Sequence, residues 1–135
     1  MRDTVQRYDG PTFDLVEMLV RGWWQHVGAT RLSAVPKLMV AEARNFPDVA
    51  RFYIDEVVRP GREAIAAMVR RGVERGEFRP VDPYVAGQLL IAPLFMVALW
   101  RNSLAMCTSD RIDPLPFLEA HIEMLRQGLA AQPRS

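Results

Sequence analysis

The chain has 135 residues, a length that suits one domain able to bury roughly two-thirds of the surface its unfolded form exposes. Half of it is hydrophobic and 24% is charged, an ordinary globular balance. The net charge of +1, with arginines interleaved among acids and Lys37 the single lysine, gives no electrostatic footprint for nucleic acid. One cysteine, Cys107, cannot form an internal disulfide, so nothing points to an oxidising compartment. The opening MRDTVQRYDG lacks the apolar core of a signal peptide. The longest apolar run, Val85 to Trp100, is short of about 18 residues and holds Gly87, Gln88 and Pro93, which makes it a poor membrane span. The expectation is a cytoplasmic protein with no membrane partner.

In chain order, residues 1–11 are polar and read as a frayed remnant or linker. A first helix starts at Thr12, because Phe13, Val16, Leu19, Trp23 and Val27 recur at helical spacing. Asp14 and Glu17 suit its N-terminal dipole, and Gly28 fits its end. Ser33 caps a second helix, with Pro36 in the first turn, and Pro47 stops it by disfavouring helical geometry in the preceding Phe46. Pro47 and Asp48 open a third, whose inner stripe is Val49, Phe52, Tyr53, Glu56 and Val57. Arg59-Pro60-Gly61 kinks it rather than ending it, since Ile65, Met68, Val69 and Val73 resume the pattern, and Gly76 terminates the run.

The stretch from Asp82 to Met106 predicts a central helix with Asp82 as N-cap and Pro83 at the first position. Its apolar residues form no single stripe. Val85, Leu89, Ala92, Met96 and Leu99 mark one face; Ala86, Leu90, Pro93, Val97 and Trp100 mark the next; Ile91, Leu94, Phe95 and Ala98 fill most of the rest. A helix apolar all round needs cover all round, and a small bundle has too few helices to supply it. A second copy of the chain is the simplest cover. Pro93 predicts a bend near Leu89 to Pro93, a place where pocket shape and dimer geometry could be linked. After a polar loop, Pro114 or Pro116 opens a last helix with one face at Leu118, Ile122, Leu125 and Leu129 and another at Phe117, His121, Met124 and Gly128. Residues 132–135 form a tail. No period-two alternation, repeat or low-complexity segment occurs, so the fold class is all-α, a bundle of about five helices.

Catalytic and metal chemistry lacks support. Neither His26 nor His121 has a glutamate three residues before it, as a bundle di-metal site requires, and Glu119 lies only two before His121. No motif surrounds Cys107, and Gly-rich phosphate loops are absent. No cofactor is called for, and the chain does not read as an enzyme. A small-molecule pocket is one reading of Trp23, Trp24, Met39, Phe46, Phe52, Tyr53, Met68 and Phe95, with Glu42, Glu56 and Tyr53 as its few polar groups. The other is that the aromatics are core and the carboxylates pair with surface arginines. His121 reads either as a sensing group or as a half-buried interface histidine.

From Lys37 onward the sequence resembles the C-terminal regulatory domain of TetR/AcrR-type transcriptional regulators. The resemblance rests on Ala41-Glu42-Ala43-Arg44, Phe46-Pro47, Phe52-Tyr53, Val58-Arg59-Pro60, Gly72 to Gly76-Glu77-Phe78 and Asp82-Pro83. It implies a regulatory domain over residues 12–131. Helices one to three and the segment after Pro60 would enclose a pocket for a small, largely apolar ligand. It also implies a homodimer through the last two helices, with Leu90, Val97, Trp100 and Leu104 meeting Phe117, His121, Met124 and Gly128. In that family a separate N-terminal helix-turn-helix reads operator DNA, many members being repressors. The eleven residues before Thr12 are too few for one, so DNA contact is not assigned to these residues. A dimeric interaction scaffold with no small ligand is the alternative.

Overall fold

A computed structural model describes residues 2–132. It contains seven α-helices: α1 Arg2–Arg7, α2 Thr12–Trp23, α3 Val35–Glu42, α4 Pro47–Tyr53, α5 Arg59–Glu74, α6 Pro83–Asn102 and α7 Pro114–Leu129. Among the described residues there is no strand; a single antiparallel bridge joins Phe78 to Ala130. The all-α expectation holds. Beyond Gln132, the tail lies outside the described residues.

The core forms where α2, α5, α6 and α7 meet. Val16, Val20, Val69, Leu90 and Leu94 are fully enclosed there, with Met68, Leu118, Ile122 and Leu129 around them. Gly87 lets α5 close on α6, because a Cβ at that position would stand 2.9 Å from Ile65 Cγ2. The residue that ends α5 is also fixed by geometry: Gly76 has φ +73°, a left-handed conformation that only glycine adopts without strain. Phe78 then folds back over Gly72, and Arg79 N–H donates to Leu129 O at 2.8 Å, tying the α5–α6 connection to the end of α7. Asp82 caps α6 as expected, its Oδ1 accepting from Tyr84 N and Val85 N.

Several local expectations are corrected. Residues 2–7 are helical, not frayed, since Val5 is buried in the core. Ser33 is not a cap: it is turned inward, accepting from Asn102 Nδ2, and Thr30 caps the short 3₁₀ turn Arg31–Ala34 before α3 instead. The central helix stops at Asn102 rather than Met106. Ser103 leaves helical geometry, its hydroxyl donating to Leu99 O, and Leu104–Cys107 form a separate 3₁₀ turn. With Pro93 inside it, α6 still runs unbroken for 20 residues.

The run from Pro47 to Glu74 is helical throughout, joined at Ile54–Val58 by a π-helical stretch in which Arg59 N–H donates to Ile54 O, five residues back. This places the deviation just ahead of Pro60, which has no N–H to offer Glu56. The expected inner stripe of this run is not inside: α4 has no buried residue, and Phe52 is 67% exposed. By length and composition, Pro83–Asn102 could cross a membrane, contrary to the length expected from sequence, and 28% of its most apolar window is buried. Its Leu90, Leu94, Val97 and Ala98 face is packed into the core.

Candidate functional site

An open apolar cleft lies between α3 and α4. Leu38, Met39, Glu42 and Ala43 line one wall and Phe46, Val49 and Ala50 the other, around a cleft of about 250 Å³. The two walls converge because Glu42 O accepts from both Asn45 N and Phe46 N at the α3–α4 bend, and Pro47 then starts α4 at once. The lining surface is apolar: Glu42 contributes to it without its carboxylate, whose Oε2 accepts from the exposed Asn45 Nδ2 at 3.1 Å.

Of the ten residues expected at a ligand site, Met39, Glu42 and Phe46 come together here. The others do not join them. Met68 is core. Phe52 and Glu56 are exposed and do not line the cleft. Tyr53 lies a turn beyond the cleft, where burial pushes its hydroxyl above the ordinary range. Trp23 packs edge-on to Phe95 at 6.1 Å between ring centres, and Trp24 lies under the Arg101 guanidinium at 5.2 Å. Gly28, where a Cβ would stand 2.3 Å from the Trp24 ring, makes room for that stack. These aromatics fasten the end of α2 to the second half of α6.

The opposite end of the α4–α5 run makes a second polar arrangement that sequence did not reveal. Arg71 donates to Tyr8 O at 2.6 Å, Gly10 O at 3.0 Å and the buried Thr12 Oγ1 at 2.9 Å. Thr12 N–H donates to Glu77 Oε2 at 3.1 Å. Burial pulls the Glu77 carboxyl upward, but the bonds from Thr12 and the charges of Arg75 and Arg71 outweigh it and hold it below the ordinary carboxylate range. The α1–α2 junction is thereby clamped to the last turn of α5. Only the spacing of Arg71 and Arg75 hints at this, and nothing local names their partners.

The interface expectation needs the largest correction. Leu90 and Val97 are 0% and 2% exposed within the single chain, so they have no surface to offer a partner. Trp100 is half-buried, its Nε1–H enclosed without an acceptor among the described residues. Leu104 is exposed but sits past the end of α6. The uncovered stripe is the adjacent one: Val85, Leu89, Ala92 and Met96. On α7, Met124 and Gly128 are exposed, and Phe117 and His121 are half-buried. His121 Nε2 lies 2.7 Å from Leu90 O, and because a carbonyl only accepts, Nε2 carries the proton. Between the two helices runs a groove of about 460 Å³ lined by Val85, Ala86, Leu89, Met124, Leu125 and Gly128 among others.

The model of the family described as tetracyclin repressor-like, C-terminal domain matches residues 12–112, from the start of α2 to the loop before α7. The chain belongs to that family. No curated protein and no solved structure matches it. As a tetracyclin repressor-like C-terminal domain it belongs with transcription regulators, and the matched region contains the α3–α4 cleft, Arg71 and all of α6, while the Tyr8 and Gly10 carbonyls that Arg71 holds lie just before it.

Proposed function

We propose that the chain is the effector-sensing and homodimerising domain of a transcriptional regulator, a repressor by family habit. In this reading the α3–α4 cleft is the sensing site, and operator DNA is contacted by a helix-turn-helix domain N-terminal to these residues. The observation that carries the reading is the unbroken helical run from Pro47 to Glu74. Its first turns line the cleft, and its last turn holds Tyr8 to Thr12 through Arg71. A ligand seated against Phe46, Val49 and Ala50 biases the run at one end and α1 at the other. The π-helical stretch Ile54–Val58 is the segment of the run able to change register. The ligand shifts the balance only by its differential affinity for the two arrangements.

Dimerisation is supported by the exposed stripe of α6, which continues across the groove to Met124 and Gly128. An exposed apolar stripe continuous across two helices is the kind of surface that pairing with a second copy would cover. Two-fold pairing would set two DNA-reading domains about one helical turn apart.

The cleft can be filled by mutation. Ala50→Trp or Ala43→Phe, each confirmed as folded by circular dichroism, should change amide hydrogen exchange in residues 8–12 while leaving α7 as in the wild type. Exchange at 8–12 unaltered in both variants refutes the coupling and favours the scaffold reading, to which the exposed Phe52 and Val57 would then belong.

A further inference from the structure

Taking two copies as paired across the α6–α7 groove, the reading proposed for that surface, we infer that the strap from Glu77 to Asp82 makes this pairing and the hold on the α1–α2 junction one linked equilibrium. The strap is gripped from two sides. Through its side chain, Glu77 accepts from Thr12 N–H at 3.1 Å, beside the Arg71 bonds to Tyr8, Gly10 and Thr12. Through its main chain, Glu77 accepts from Ala131 N–H, also at 3.1 Å, just past the end of α7. Phe78, the next residue, is buried over Gly72 and bridged to Ala130. The rest of the strap, Arg79 to Asp82, forms one rim of the groove.

The last turn of α7 joins the two grips. A helix leaves its final carbonyls without intrahelical donors. Here the strap supplies them: Arg79 N–H donates to Leu129 O at 2.8 Å and Arg79 Nε–H to Gly128 O at 2.6 Å. Fraying of this turn therefore loosens Arg79 and Ala131 together, and with Ala131 the main-chain hold on Glu77. The same turn is groove wall through Gly128 and Leu129, with the exposed Met124 one turn earlier. A second copy seated there suppresses the fraying, keeps Glu77 in place and slows the opening of the Thr12 amide. Ordering already supplied by one event is not required again for the other, which couples them positively without a change of fold. Linkage makes the effect reciprocal, so a chain whose junction is released pairs more weakly by the same factor. The body of α7, fixed in the core by Leu118 and Ile122, stays outside the linkage.

The test uses the whole chain. Leu89→Arg, which separates the copies if the groove is their interface, should exchange the Thr12 amide proton about fivefold or more faster than the wild-type dimer. The Ala50 amide, whose acceptor is Phe46 O at the start of α4, should exchange alike in both. Arg71 does not line the groove, so Arg71→Ala, confirmed as folded by circular dichroism, acts on the junction alone. Sedimentation equilibrium should show its dimer dissociating at a concentration about fivefold or more higher. Arg59→Ala, which removes an exposed ion pair with Asp55, should leave the dimer unchanged. Equal Thr12 exchange in dimer and monomer, or an unmoved dissociation constant in folded Arg71→Ala, overturns the linkage and leaves the interface standing. An equal acceleration at Ala50, or an equal loss in Arg59→Ala, reduces the effect to general destabilisation and overturns it too. A wild-type chain that stays a monomer, or a Leu89→Arg variant that stays a dimer, removes the interface itself and the linkage with it.

Discussion

Removing the Arg71 guanidinium should unfasten α1 from the domain. In Arg71→Ala three hydrogen bonds disappear together: those to Tyr8 O, Gly10 O and Thr12 Oγ1. The two carbonyls belong to half-buried residues and regain water, so each lost bond costs about 0.5–1.5 kcal/mol. Thr12 is fully buried and does not, but its hydroxyl keeps its bond to Glu77, so this loss too is about 0.5–1.5 kcal/mol. Since part of this relaxes, the sum expected is about 1–4 kcal/mol, a large share of the roughly 5–15 kcal/mol that holds a domain together. Urea denaturation should show the midpoint fall with an unchanged slope. Hydrogen exchange should show the loss first in residues 2–12. Arg71→Lys keeps the charge but not the planar fork, and should recover less than half of the difference. A loss under about 0.5 kcal/mol in Arg71→Ala, within the range of an ordinary surface change, refutes the clamp.

Gly72→Ala puts a methyl 2.2 Å from the Phe78 ring, so thermal unfolding should show a loss of about 1–3 kcal/mol from overpacking; a neutral result means that Phe78 moves freely. Glu77 contributes stability through a depressed folded-state pKa, which is in place above the ordinary value of about 4.3 and is lost as pH falls through the folded value. Stability measured from pH 6 downward should therefore fall less steeply in Glu77→Gln than in the wild type, and parallel curves would show that Glu77 is not the group responsible.

The central helix shows how far the sequence could be read. Its start at Asp82-Pro83 and its surplus of apolar surface were legible, because capping chemistry and composition are local. Which stripe faces the core was not, since Leu90 and Leu89 are the same residue type one position apart. The choice is made by α5 closing on Gly87 and by the enclosure of Leu94 and Val97, contacts between distant segments. The last helix was easier: Leu118, Ile122 and Leu129 stood out against charged neighbours, and they are core. At the cleft, Met39 and Phe46 were named for their size and Glu42 as a polar group, and the bend at Pro47 is what brings them together. Trp23, Trp24 and Phe95 were drawn into the same list by size alone. Their partners, one another and Arg101, are fixed by packing that spacing does not encode.

Pairing of two copies is what would set the spacing of two DNA-reading domains, and the mass of the chain in solution tests it most directly. Light scattering at micromolar concentration should give twice the 15.4 kDa of one chain. Leu89→Arg and Met124→Arg, at positions 67% and 74% exposed and therefore harmless to the fold of a single copy, should each return it to one, because a buried unpaired charge is costly. A wild-type monomer, or a dimer that survives both substitutions, contradicts the proposed interface.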